Sequence, residues 1–135
     1  MLRLTEQLHC EHTELQQALA GIRPRLFRTT EGQQRVSRVR DLFRTHTATE
    51  NDKLYPVLNS AAREDERIAA RVRRMQDDLG IVSELAEGFF AKYEKGPPSL
   101  IEFATDHGAL VTILKIRLQR EEETLFPLYE KLAEN

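Results

Sequence analysis

The chain has 135 residues and a mass of 15.6 kDa, and its 20 Lys and Arg residues stand against 22 Asp and Glu residues, a net charge of −2. This length predicts a single domain over residues 1–135. The near balance of charge argues against a nucleic-acid-binding protein that works through bulk positive charge. No stretch of about 18 apolar residues occurs, so the sequence predicts no membrane span.

A single cysteine, Cys10, bears on the cellular location of the protein. A lone cysteine forms no internal disulfide, which favours a reducing compartment. The N-terminal sequence also becomes charged too early for a signal peptide. Together these features predict a cytoplasmic protein.

Apolar residues recur at three- and four-residue steps along the chain, which predicts successive amphipathic helices. The first stripe includes His12 and is expected to end near Gly21 and Pro24, with a kinked continuation past Pro24 as the alternative. The second stripe is expected to end at a break over Asn59-Ser60.

The third stripe runs from Ile68 to Phe89, includes Leu85, and stops at the helix breaker Gly96-Pro97-Pro98. The fourth helix begins after Ser99, a favourable N-cap. No strand of period two appears, and short connections make sequential helices antiparallel neighbours. The sequence therefore predicts an all-α, up-down-up-down antiparallel four-helix bundle.

The second and fourth helices have related endings, HTATENDKLYP from residue 46 and RLQREEETLFP from residue 117. Glutamate, leucine, an aromatic residue and proline match at an offset of 71 residues. The first and third helices also correspond, which predicts an internal pseudo-twofold repeat. The residues that it places opposite each other are His12 and Asp78, His46 and Arg117, and Glu50 and Glu121.

His46 and Glu50 lie one turn apart on the apolar face of the second helix, and His12 lies on the apolar stripe of the first. Imidazole and carboxylate groups that meet from different helices can form a metal site in the core of a bundle. This ligand set suits iron, manganese or zinc. A lone buried histidine is more often a hydrogen-bonded core residue than a metal ligand. The repetition of the motif at the ends of the second and fourth helices argues against a chance arrangement.

These residues resemble those of the hemerythrin-like (HHE cation-binding) family over nearly the whole chain. The resemblance rests on three motifs: Glu11-His12, His46-x-x-x-Glu50 followed by Leu54-Tyr55-Pro56, and Glu121-Glu122-x-x-Leu125-Phe126-Pro127. It implies a four-helix bundle with a non-haem di-iron centre between the helices. It also implies that the protein binds or senses oxygen, nitric oxide or iron.

One half of the chain departs from the pattern that this resemblance implies, which has histidines where Asp78, Val82 and Arg117 stand. The other half keeps its ligands. The predicted metal ligands are His12, His46, Glu50 and Glu121. The fallback ligands are Glu122, Asp78 and His9.

Arg117 replaces a histidine at the predicted second metal position. Arginine stays protonated and offers no lone pair, so it cannot bind a metal ion. Burying it without partners would be costly. We hypothesise that a salt-bridge cluster of Arg117, Asp78 and Glu121 replaces the second iron.

Two interpretations remain open for the other half. In one, a single non-haem iron binds oxygen, nitric oxide or another small diatomic ligand. In the other, the bundle holds no metal and serves as a regulatory module that binds a protein partner. A complete di-iron centre that uses Asp78 is the remaining alternative.

Overall fold

The computed structural model describes residues 3–94 and 99–133, and in this part of the chain it contains helices and no β-strand. Four long helices form the body of the protein, and a short helix follows the second and the fourth of them. The helices are α1 (Leu4–Ala20), α2 (Thr30–Thr49), α3 (Tyr55–Ala62), α4 (Glu66–Glu94), α5 (Leu100–Arg120) and α6 (Phe126–Ala133). The all-α prediction is confirmed.

The four long helices make a closed ring of contacts. Helix α1 packs against α2 and α5, and α4 packs against the same two helices. The short helices α3 and α6 contact each other, and α3 also packs against α4. Each long helix therefore has two long neighbours, as in a four-helix bundle.

Side-chain caps define the starts of α2 and α5. The hydroxyl of Thr29 accepts a hydrogen bond from the N–H of Gly32, and the hydroxyl of Ser99 accepts one from the N–H of Glu102, both at 3.0 Å. The second contact confirms Ser99 as an N-cap. A Cβ atom on Gly32 would lie 2.0 Å from the carbonyl oxygen of Leu26, so glycine permits the close approach of these two segments.

The first helix ends where its turn residues predict. The N–H of Gly21 donates to the carbonyl oxygen of Gln17 at 2.9 Å and closes the last turn. Pro24 then begins a 3₁₀ turn, Pro24–Leu26, so the alternative of a kinked continuation is wrong. Proline supplies no N–H and is favourable at the first position of a new turn.

The predicted break at Asn59-Ser60 is wrong, because α3 continues through both residues to Ala62. The chain turns at residues 63–65 instead. There the carboxylate of Asp65 accepts from the N–H of Arg67 at 2.9 Å and caps the start of α4. The predicted breaker Gly96-Pro97-Pro98 lies outside the described residues.

A buried polar layer crosses the bundle between two apolar clusters. The first cluster is centred on Leu15, Val39, Phe43, Phe103 and Leu114. The second contains Leu8, Leu54, Leu58, Leu125 and Phe126. Between them lie the buried polar side chains of His12, His46, Glu50, Arg117 and Glu121.

The predicted apolar stripe of α4 is wrong at Leu85, which is 49% exposed, while the adjacent Ala86 is fully buried. Buried residues of α4 lie 67 positions after buried residues of α1. This separation is one residue more than the sequence repeat predicted when it paired His12 with Asp78. By this pattern His12 corresponds to Leu79 and not to Asp78. One residue turns a helical side chain by about 100°, so the shift places Asp78 at the edge of the core.

Candidate metal centre

Four ionisable side chains converge in the polar layer. His12 comes from α1 and His46 from α2, while Glu50 and Glu121 each begin one of two π-helical turns. Each of them offers a ligand atom, and these atoms all lie within 4.8 Å of one another. All four side chains are buried. The structure thus brings together the four residues that were predicted from the sequence as metal ligands.

The π turns that position the two glutamates span Glu50–Leu54, between α2 and α3, and Glu121–Leu125, between α5 and α6. Their closing hydrogen bonds run from the N–H of Tyr55 to Glu50 and from the N–H of Phe126 to Glu121. A proline follows each aromatic residue, and proline in a helix has no N–H and clashes with the carbonyl four residues earlier. The widened turn accommodates this conflict, and such turns are common at functional sites.

The ligand atoms are close enough to share one cation. Nε2 of His12 lies 2.9 Å from Oε1 of Glu121 and 3.0 Å from Nε2 of His46. Nε2 of His46 lies 3.5 Å from the same Glu121 oxygen and 3.4 Å from Oε2 of Glu50. Two imidazole nitrogens therefore face each other beside two carboxyl groups.

Glu11 orients one of the two imidazoles. Nδ1 of His46 donates to Oε1 of Glu11 at 2.8 Å, which leaves Nε2 directed into the cluster. Hydrogen bonds from a ligand histidine to a carboxylate are typical of metal sites, where they fix the tautomer and the ring orientation. Glu11 belongs to the Glu11-His12 motif, which by itself assigns it no role. Its position directly before His12, on the helix that packs against α2, was the available signal.

Glu50 provides the test of whether a metal ion fits this cluster. It is fully buried, yet neither of its carboxyl oxygens has a hydrogen-bond partner. An unsatisfied buried carboxyl group is costly, and coordination to a cation would remove that cost. Two imidazole nitrogens with carboxylate oxygens match the ligands that iron, manganese and zinc accept. The residues present therefore fit a metal ion.

Burial and neighbouring charges shift the pKa values of the side chains that would bind a metal ion. Burial opposes the charge of His46, but the adjacent Glu121 and Glu50 outweigh it and raise the pKa of His46 to about 10. Burial and the nearby Glu121 raise the pKa of Glu50 to about 8. Burial also opposes ionisation of Glu121, but its hydrogen-bond donors and Arg117 hold its pKa well below the usual value. At neutral pH the metal-free cluster therefore retains a proton on both Glu50 and His46.

Arg117 occupies the position 71 residues after His46 and is almost completely buried. Its Nε donates to Oε2 of Glu121 at 2.7 Å, and its Nη2 donates to the hydroxyl of Tyr55 at 3.0 Å. Its Nη1 donates to the carbonyl oxygen of Met75 at 2.8 Å and lies 3.4 Å from Asp78. The guanidinium thus has partners on three sides. Although burial opposes its charge, Glu121 raises the pKa of Arg117.

The three fallback ligands lie outside the cluster. Asp78 is partly exposed and contacts Arg117 and Arg120. Glu122 is also partly exposed and lies between His12 and His9, and His9 is largely exposed. None of the three belongs to the group of four whose ligand atoms converge.

Other residues that the sequence made conspicuous serve the fold or the surface. Nε2 of His107 donates to the carbonyl oxygen of Leu19 at 2.7 Å and ties α5 to α1. Cys10 is exposed.

Among the described residues, no helix is both long enough and apolar enough to cross a membrane.

Of the comparisons with known proteins, one gives a match. Neither the curated proteins nor the solved structures contain a significant match to the chain. The family model of the hemerythrin HHE cation-binding domain matches residues 3–129, which is nearly the whole chain and includes all four residues of the cluster. The chain therefore belongs to the hemerythrin HHE cation-binding domain family.

Proposed function

We propose that this protein binds one non-haem iron ion and uses it to bind or sense oxygen or nitric oxide. The observation that carries the proposal is the buried cluster of His12, His46, Glu50 and Glu121, in which neither oxygen of Glu50 makes a hydrogen bond. Two histidines with carboxylates resemble the ligands of mononuclear non-haem iron sites. The single exposed cysteine favours the cytoplasm as its location.

The contacts of Arg117 support a single metal ion. Its guanidinium carries a permanent positive charge beside Glu121, where a second metal would need a ligand. By burial pattern, the α4 position that corresponds to His12 is Leu79, which has no ligand atom. Asp78 contacts Arg117. We infer that Arg117 and its two acidic partners replace the second ion of a di-iron centre.

Iron bound in this cluster would supply a redox-active centre with coordination positions for a diatomic ligand. The protein residues have separate roles around it. Glu11 holds the ring of His46, and Arg117 holds the outer oxygen of Glu121. The two apolar clusters on either side, represented by Leu15 and Leu54, exclude water from the layer.

The burial patterns also support the finer architecture that the sequence predicted. The buried residues of α2 recur in α5 at an offset of 71, and each helix leads into a π turn. We propose that the two halves are related by a pseudo-twofold axis, with the helices running up-down-up-down. The short connections between successive long helices favour this topology.

A metal-free regulatory module that binds another protein is the second candidate function. Exposed apolar side chains on α4 and α5, those of Ile81, Leu85 and Ile116, favour it. In this state His12 and His46 stay next to Glu121 and need no metal. Metal content distinguishes the two candidates.

The test is the iron content of untagged protein after anaerobic reconstitution with ferrous iron. We expect about one iron per chain, and we expect His46→Ala to lose it. His107→Gln is the matched control, because His107 is a buried histidine remote from the cluster. Two ions per chain would contradict the role given to Arg117. No iron would leave the interaction module as the function.

A further inference from the structure

A surface groove lies beside the proposed metal centre, between α1 and the start of α6. It has a volume of about 610 Å³, and its lining includes His9, Glu6, Glu122 and Glu130. The hydroxyl of Thr5 donates to Glu130 at 2.6 Å and holds that carboxylate at the groove. The groove thus presents one imidazole and three carboxylates to solvent.

Glu122 connects this groove to the buried cluster. One of its oxygens contacts Nδ1 of His9, which is 63% exposed. Its other oxygen lies 3.5 Å from Nδ1 of His12, which is 1% exposed. The opposite nitrogen of that ring, Nε2, lies 2.9 Å from Glu121 within the cluster. A single imidazole ring thus spans the distance from a groove residue to the metal ligands.

The buried nitrogen of His12 that faces Glu122 has no hydrogen-bond partner. In contrast, the corresponding nitrogen of His46 bonds to Glu11 at 2.8 Å. A structural role for Glu122 alone would favour a similar hydrogen bond to His12. Glu122 instead makes its closer contact with the exposed His9.

The carboxylates and the imidazole of the groove favour a cationic ligand. Arg3 lies 3.9 Å from Glu6 and offsets one of the three negative charges, which leaves Glu122 and Glu130 to attract cations. The rest of the lining is uncharged or imidazole, and an excess of carboxylates at a site raises the association rates of cationic ligands. An imidazole beside a carboxylate binds divalent transition-metal ions, as in the cluster itself.

We propose that His9 and Glu122 form an outer capture site for a divalent metal ion, through which the ion enters the buried cluster. This inference rests on the proposed function, because it gives the cluster its metal. The captured ion first binds His9 and Glu122 at the groove. It then passes the ring of His12 to the buried ligands. The ligands of the ion change, and the protons that the metal displaces from the cluster pass to solvent; no other bond in the protein is made or broken.

The experiment measures the rates and the affinity of Co²⁺ binding, with Co²⁺ absorbance followed by stopped flow and by equilibrium titration. His9→Ala removes an exposed capture ligand that lies outside the cluster, and circular dichroism checks that the fold is retained. We expect association and dissociation both to slow roughly tenfold, with an unchanged Kd, since an entry route alters only the barrier. Glu123→Gln is the matched control, because it removes a negative charge next to Glu122 from an exposed side chain.

The outcomes separate the two proposals. Unchanged rates in His9→Ala, with one Co²⁺ still bound, would overturn the capture site and leave the metal centre standing. A weaker Kd with an unchanged association rate would also overturn it and make His9 a structural support. If the wild-type protein binds no Co²⁺, both proposals fail. If Glu123→Gln slows Co²⁺ binding by the same factor, the slowing comes from the overall negative charge of the surface. That result would overturn the role of His9 and Glu122.

Discussion

Arg117 and Glu121 lie one helical turn apart and form an ion pair at 2.7 Å in which both side chains are almost completely buried. Buried ion pairs contribute little net stability compared with apolar residues, but removing one partner leaves an uncompensated charge. The other oxygen of Glu121 contacts His12 in the metal-binding cluster. The pair therefore joins the permanent cation of the layer to the residues that would bind a metal ion under the proposed function.

Arg117→Met should lower the free energy of unfolding by about 3–5 kcal/mol, because Glu121 then remains buried without its guanidinium. Urea denaturation measures this change. Arg120→Met is the matched control, since Arg120 is exposed and lies 3.8 Å from Asp78. We expect it to cost less than about 1 kcal/mol. Equal losses in the two variants would contradict the buried pairing.

Glu50→Met should raise the free energy of unfolding of the metal-free protein by about 1–3 kcal/mol, since it removes a buried carboxyl group whose oxygens lack partners. The same variant should lose metal binding. Glu121→Met, at the other acid of the cluster, should instead destabilise the protein by about 3–5 kcal/mol, because Arg117 loses its buried carboxylate partner. Thermal and urea unfolding in the presence of a chelator compare the two variants. Changes of the same sign would refute this assignment.

Glu11→Gln should weaken metal binding by about 10- to 100-fold, because the carboxylate that orients His46 is lost. The stability of the metal-free protein should change little, since Glu11 is partly exposed. Competition with a chelator measures the affinity. Glu14→Gln serves as the control, because Glu14 lies on the same helix and pairs with the exposed Arg38. If both variants bind metal as the wild type does, Glu11 has no positioning role.

Metal binding should release protons and strengthen with rising pH. The pKa values of Glu50, about 8, and of His46, about 10, exceed neutral pH, so a metal ion displaces a proton from each. Below pH 8 the affinity should rise about 100-fold per pH unit, corresponding to two protons. Between pH 8 and 10 the slope should fall to about tenfold. Calorimetry in buffers of different ionisation enthalpy counts the protons, and an absence of proton release would contradict the assignment.

The sequence was sufficient for the features that depend on local pattern. Ser99 as an N-cap followed from its residue type and position, and the shared face of His46 and Glu50 followed from their spacing. Glu121 was predicted from the internal repeat and the family resemblance rather than from spacing along one helix. The register of α4 did not follow from local pattern, because Leu85 is apolar but exposed, whereas the smaller Ala86 is buried. A one-residue error of this kind rotates every side chain of the helix by about 100°.

The π turns and the role of Glu11 also escaped sequence analysis, for a different reason. Pro56 and Pro127 indicated a disturbance of the helix, but a kink, a break and a π turn share that signal. The contact of Glu11 with His46 depends on how α1 packs against α2, which no spacing within one helix encodes. Long-range geometry, rather than residue type, was the missing information.

The buried guanidinium of Arg117 also affects how the protein is made. Unlike a metal ion, a guanidinium cannot be chelated, oxidised or lost by dilution. Half of the polar layer thus has its cation as soon as the chain is synthesised. Under the proposed function, we therefore expect the bundle to fold with or without iron, and the supply of iron to set the occupancy of the site rather than the amount of folded protein.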